Sequence, residues 1–477
     1  MGFDFLDFGF PKSGTDWKSI NGKPYITVSS KGRSNGLSTK INDGADFGPD
    51  TTLNATSPSQ TGPPYTQTSG IQEAFNYSAT STLYSIDTGH LFYPIKFLNG
   101  NFQISQPITF GIGNYPSTDS FGVSITGSGL MNSAITWIGS TAPTSMITIN
   151  TNINNIYIAD FDIDNIPSSG SGPNYGLYWV STKNGTTNAF IMKNINCGTD
   201  FATDMFYIGN AFLVYLSDII IPNTNVEIYG NGSSGSMFIL NGGKWGGNQI
   251  ITNKFETTDI FGVSANTLFI PPNGGGYTPS TISVHSSKLG IYITTNIHSL
   301  SIEDSIISSN STTIGAIQTQ SDIDMLSVKQ SIISGALLSN PTTTTVTIGS
   351  LIVDGLMNNG TVGPLLGQNA SYITVDNYSL KNINSGTFSG TLPVNTPTTP
   401  TVPTSGTAQQ NTNPYPVNVY LYGGTVTEIQ LTRNGTAYTV FSNASGLALS
   451  GQVYKLNPSD SITITYTTAP TWEWLAD

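Results

Sequence analysis

The chain is short of charge. Of its 477 residues only 9% are Asp, Glu, Lys or Arg, against a usual share of about 25%. Just two of the 16 basic residues are arginines, Arg33 and Arg433. Acidic residues outnumber basic ones, 28 to 16, and leave a formal charge of −12. That balance excludes nucleic acid as an expected partner, because phosphate binding needs a basic stripe. There is one cysteine, Cys197, so no intramolecular disulfide can form. The three histidines, His90, His285 and His298, lack the spacing of metal ligands. No stretch is long and apolar enough to span a membrane, so no membrane insertion is expected. The opening MGFDFLDFGF lacks the basic region and apolar run of a secretory signal.

Gly, Ser, Thr and Asn fill the space that charge leaves. Low charge raises the question of disorder, but 22 Phe, 22 Tyr and abundant Ile argue for an ordered all-β protein. The organising feature is a pair of near-copies, LSIEDSIIS (300–308) and LSVKQSIIS (326–334). Looser copies are VTIGSLIVD from Val346 and ITVDNYSLK from Ile373. Upstream, IYIADFDID from Ile156, FIMKNINCG from Phe190 and VYLSDIIIP from Val214 share the shape. Each has alternate apolar positions, a small or polar pivot, then a second apolar pair. One such unit cannot bury its apolar face alone. Starts about 20–35 residues apart are the spacing of a solenoid whose turns bury a continuous column.

The N-terminal part carries a resemblance. NDGADFGPDT (42–51), SGIQEAFNYSA (69–79), HLFYPIKFLNGNFQISQPITF (90–110) and FGVSITGSGLMNSAITWIG (121–139) resemble the opening of the pectate-lyase superfamily, the pectin-lyase-like right-handed β-helices. Ile71, Ala74 and Phe75 give the short helix of that opening one apolar face. Two departures stand out. Asn101-Phe102 takes the place of the family's Gly/Thr-Tyr pair, and 50–68 is a long Thr/Ser/Pro-rich insertion. The resemblance covers roughly 43–384 and implies a right-handed parallel β-helix of the kind found in viral and phage tail spikes and fibres. The fold hosts lyases, hydrolases and adhesins alike. Four segments are expected: 1–42, an N-terminal arm for capping or attachment; 43–384, the β-helix; 385–412, a Thr/Pro-rich linker; and 413–477, a C-terminal β-sandwich with turns at Gly423-Gly424 and Asn434-Gly435. The last segment is similar to small β modules of phage and archaeal-virus fibre-like proteins.

The resemblance brings no intact catalytic set. The family's lyases use an Arg base with Ca²⁺, and the solenoid has no Arg. The Asn-Thr-Asp, Asp-Asp, Gly-His-Gly and Arg-x-Lys motifs of polygalacturonases are absent; NCGTD (196–200) is a distant echo. The weak catalytic candidates are paired carboxylates. Alternation sets Phe161 and Ile163 inward, so Asp162 and Asp164 share the outward face, as do Asp322 and Asp324. Residues i and i+2 lie roughly 6.5–7 Å apart on a strand. That gap suits an inverting glycosidase or a hard cation such as Ca²⁺, although no cofactor is expected. The competing reading is two solvated outer faces. Trp245, Tyr157, Tyr215, Tyr292, Trp472 and Trp474 are candidates for stacking on sugars; against this, Trp245 fits equally as filling of the stack, and Trp472 and Trp474 as core or a subunit contact.

The expected function is a structural virion appendage that recognises host-surface glycans without catalysis. The alternatives are a lyase or glycoside hydrolase acting on surface polysaccharide, and a cellular adhesin. The expected setting is a virion surface or the extracellular space. The expected partners are host glycans, other virion proteins through one terminus, and two further copies in a homotrimer.

Overall fold

The computed structural model describes residues 25–30, 45–49, 67–80, 82–86, 89–111, 120–170, 172–182, 188–199, 201–221, 224–245, 249–272, 281–308, 315–358, 363–364, 366–381, 388–389, 399–412, 416–433 and 435–476. The insertion at 50–66 and most of the N-terminal arm lie outside them. Among the described residues the protein is all-β apart from the helix Ile71–Thr80 and one short 3-10 turn. Most strands join one 31-stranded sheet in which nearly every pairing is parallel, an arrangement compatible with a β-helix.

Apart from the antiparallel pair Thr82–Ile86 and Gly89–Phe92, the pairing is not between sequence neighbours. A strand mostly pairs with the one two or three places further on, so the sheet is traced as repeating rungs about 4.8 Å apart. The apolar positions then stack in register. Ile156, Phe190, Val214, Phe238, Thr258, Ile282, Leu300, Leu326 and Leu351 follow one another rung by rung, and all are buried. The near-copies at 300–308 and 326–334 pair residue for residue. The copy expected at Val346 is displaced: Leu326 meets Leu351, so LIVDGLMN continues the column. Val346 pairs with Ile373, which leaves those two copies aligned with each other.

The pivot has a conformational cause. Asp160, Asn194, Asp218, Gly242, Gly262, Ser286, Asp304, Gln330 and Gly355 occupy the same place on nine successive rungs, and each has φ between 46° and 71°. A single left-handed residue turns the chain from one strand direction to the next while the apolar pattern resumes one residue later. Asp, Asn and Gly are the residues that reach this region most cheaply. After three of these corners the next side chain is a buried serine. The oxygens of Ser287, Ser305 and Ser331 accept from the N–H of Val263, Ser287 and Ser305 at 3.1–3.2 Å, which satisfies backbone donors inside the stack. Gln330 is the longest side chain at the corner. Gln330→Gly is expected to stabilise the fold by about 1 kcal/mol, read as a higher denaturation midpoint.

At the N-terminal end the helix buries Ile71, Ala74 and Phe75, with Phe75 edge-on to Phe110 at 5.1 Å. Ile26–Val28, inside the expected arm, pairs in parallel with Ile95–Phe97. The Asp46 carboxylate ties that strand down by accepting from the Thr27 N–H and hydroxyl, both at 2.8 Å.

The C-terminal part is one five-stranded antiparallel sheet. Val417–Arg433 runs unbroken through Gly423 and Gly424, so this expected turn is instead a bend within one strand. Both glycines are left-handed, with φ of 66° and 67°, and the register shifts there as in a bulge. At the other expected turn Arg433 stands opposite Thr436 with Gly435 between them, and Asn434 lies outside the described residues. The linker reading needs correcting over 399–412. Ala408–Gln410 pairs with 461–463. The Trp472 Nε1–H donates to the Pro400 carbonyl at 2.6 Å, and the Tyr466 hydroxyl donates to the Pro403 carbonyl at 2.7 Å. Prolines that read as a linker here serve as carbonyl acceptors for a buried tryptophan and a half-buried tyrosine.

Candidate functional site

The paired aspartates separate into different environments. Phe161 and Ile163 are buried, as the alternation requires, but Asp162 is buried too, at 7% exposure. Its Oδ2 accepts from the Met131 N–H at 2.9 Å and anchors the turn that Met131 tips. Asp164 is half-buried, and its Oδ1 accepts from the Gly198 N–H at 2.9 Å. A Cβ on Gly198 would lie 2.4 Å from that oxygen, so glycine makes the contact feasible. Burial, partly opposed by the Gly198 hydrogen bond and reinforced by Asp162, raises the Asp164 carboxyl above its usual range. The expected solvated pair is thus two anchoring carboxylates, each holding a turn. Asp322 and Asp324 are exposed and engaged apart. Asp322 accepts from the Thr347 N–H at 2.7 Å. Asp324 meets His298 Nδ1 at 2.9 Å with both side chains 70% exposed, where such a contact contributes at most about 1 kcal/mol. Among the described residues, no group of three or more His, Cys, Asp or Glu could hold a metal.

Three of the aromatic candidates are core. Trp245 is 4% exposed and follows Ile221 in the stack. Lys244 takes the outward position, so alternation turns the indole inward. Trp472 and Trp474 are buried edge-to-face at 5.5 Å inside the C-terminal sheet's core. None of the three offers a ring to a sugar. Tyr157 and Tyr215 do sit outward, two rungs apart on one face with Ile191 between them. Lys193 lies over the Tyr215 ring at 5.2 Å.

Tyr292 leads to residues that sequence reasoning missed. It lies on an outward ladder that runs Tyr178, Tyr207, Glu227, Ile251, Phe269, Tyr292. Tyr178 and Tyr207 stack at 5.1 Å and 15°, and Phe269 and Tyr292 at 5.1 Å and 21°. The separation is close to the rung spacing. One face of each ring is therefore covered by the neighbouring rung. Tyr292 keeps only the face toward Gln318, and the Gln320 side-chain N–H donates to its hydroxyl.

Beside this ladder lies the most perturbed carboxyl of the described residues. Asp204 opens the strand Asp204–Ala211, paired with Tyr175 on one side and Asn225 on the other. It is 1% exposed, and its Oδ2 has no hydrogen-bond partner among the described residues. Burial first, then the charge of Glu227, pushes its carboxyl up to about 7. Glu227 is half-buried and hydrogen-bonded to the Tyr229 hydroxyl. Tyr175, Tyr207 and Tyr229 are all raised, by burial foremost and then by the nearby carboxyls and tyrosines. The rings form a connected set, with Tyr175–Tyr207 at 5.6 Å and Tyr207–Tyr229 at 5.9 Å. The result is a buried acid whose carboxyl is pushed up to about 7, beside Glu227 and a rim of phenols.

No family model matches the chain, and no curated protein does either. The resemblance to the pectate-lyase superfamily thus stands on the quoted residues and on the parallel sheet. No helix among the described residues is long and apolar enough to cross a membrane.

Proposed function

We propose that the chain is a glycan-binding structural protein built on a right-handed parallel β-helix of the pectin-lyase-like kind. In this reading it is an appendage such as a tail spike or fibre, at a virion surface or outside a cell. Its C-terminal sheet, bent at Gly423-Gly424, forms the small sandwich. The observation that supports binding is the half-buried Glu227 with its rim of Tyr175, Tyr207 and Tyr229, set over the buried Asp204. Phenols and a carboxylate offer the donors and acceptors that sugar hydroxyls need, and hydrogen bonds to a charged group contribute about 1.5–3 kcal/mol each. A net charge of −12 repels polyanions. The favoured ligand is therefore a neutral or amino-bearing polysaccharide rather than a polyuronate.

Hydrolysis is the second reading, because a carboxyl raised to about 7 beside another carboxylate is an acid–base pattern. The burial of Asp204 weighs against it. A general acid must reach the glycosidic oxygen, and at 1% exposure this one does not.

The test is titration of the protein with neutral, amino-bearing and acidic polysaccharides, with the products sized afterwards. Glu227→Gln is expected to weaken binding about 10- to 100-fold, while Tyr157→Phe, on another face, leaves it unchanged. Equal affinity of Glu227→Gln and wild type would remove the site. Oligosaccharide release that Glu227→Gln abolishes would replace binding by hydrolysis.

A further inference from the structure

The C-terminal sheet has two unlike edges. One ends in a strand of only three residues. Ala408–Gln410 pairs along 461–463. The Gly406 N–H donates to the Ile464 carbonyl at 2.9 Å, and the Tyr466 N–H to the Ser405 hydroxyl at 2.8 Å. The Trp474 N–H donates to the Thr399 hydroxyl at 3.1 Å. The other edge is Thr436–Leu456, which pairs with Val417–Arg433 and with no other described strand.

The start of that strand is bare. A strand on a packed sheet hides alternate residues, yet Thr436, Ala437, Tyr438, Thr439 and Val440 are all exposed. Tyr438 is 53% and Val440 44% exposed. The segment TAYTVFS (436–442) is rich in β-branched and aromatic residues. It has no charge, proline or glycine, the residues that usually keep edges apart. In the whole strand only Lys455 is charged.

We infer that residues 437–441 pair with the same segment of a second copy of this chain, antiparallel about a two-fold axis at Thr439. That register is self-complementary. Tyr438 of each copy faces Val440 of the other, and Ala437 faces Phe441. Aromatic rings against β-branched side chains are among the better cross-strand pairs. The register shift at Val440 twists the edge and keeps the pairing short. The two-fold follows from how unlike the edges are. A head-to-tail ring would have to set this long edge against the three-residue strand Ala408–Gln410, whereas an edge that meets itself closes with two copies.

The full chain is measured by light scattering after size exclusion, as wild type, Val440→Lys and Val440→Thr. Wild type and Val440→Thr are expected at twice 50.6 kDa, and Val440→Lys at 50.6 kDa with an unchanged circular dichroism spectrum. Thr439→Cys adds a symmetric probe. It is expected to form a disulfide-linked dimer on mild oxidation that wild type does not, since Cys197 is buried. A wild type at one or three times 50.6 kDa overturns the inference. So does a folded Val440→Lys that stays dimeric. Should Val440→Lys fail to fold, the Thr439→Cys crosslink decides alone, and its absence overturns the inference.

Discussion

Asp204→Asn is expected to flatten a loss of stability that the wild type shows as pH rises from about 4 to 7. The carboxyl titrates near 3.8 when solvated and near 7 when folded. Between those values the folded chain keeps a proton that the unfolded chain has released, so the folded state binds more protons and stability falls with rising pH. The contribution is fully present below about pH 4 and is lost as pH passes through 7. Each unit of difference is worth about 1.4 kcal/mol, so a rise from 3.8 to about 7 puts the loss on the order of 4 kcal/mol. Asparagine has the size of the protonated acid and no charge to bury. The variant should therefore match the wild type in acid and exceed it near pH 8. Thermal midpoints of both proteins, taken near pH 4.5 and near pH 8, read the effect directly. Parallel curves would mean that Asp204 does not carry the acid dependence.

Trp245→Ala separates core from ligand platform. The indole is 4% exposed and packed in the stack behind Ile221. Emptying such a site removes apolar contact and leaves a cavity, at a cost of about 3–5 kcal/mol. Trp245→Phe should lose far less. Most of the volume stays, and the indole N–H, which has no partner among the described residues, is removed. Equilibrium denaturation ranks the three proteins, and polysaccharide titration of the folded variants is expected to show unchanged affinity. A folded Trp245→Ala of wild-type stability that no longer binds would return this residue to the ligand surface.

The stack was legible wherever a rung kept its apolar pairs and a polar corner. The copies at 156, 190, 214, 300 and 326 all fall in one register. Three rungs between them, through Phe238, Thr258 and Ile282, escaped the pattern. Two have glycine at the corner, and one carries Thr258 in the apolar column. The displaced copy at Val346 has a different cause. A period-2 pattern repeats within a long strand, and only pairing chooses between its frames. The tyrosine face was not legible, because excursions of unequal length separate its members. A usable signal did exist: YGLYWV (175–180), DMFYIG (204–209) and NVEIYG (225–230) put a polar aromatic or Glu between buried apolar residues. Nothing about Asp204 in sequence marks it as buried. It looks like one more turn residue, and its burial comes from the rungs on either side. The Asp162/Asp164 geometry went wrong for a related reason. Alternation places a side chain on a face, but the turn tipped by Met131 folds over that face and covers Asp162.

In the proposed function the glycan binds at Glu227 and its rim of Tyr175, Tyr207 and Tyr229. Amide hydrogen exchange of the full chain, with and without a saturating polysaccharide, tests it most directly. Protection is expected to rise along Asp204–Ala211 and Asn225–Gly230 and to stay level along Ile323–Lys329, which carries Asp324. Protection that appears only around Asp162 and Asp164, or only in the C-terminal sheet, would contradict it.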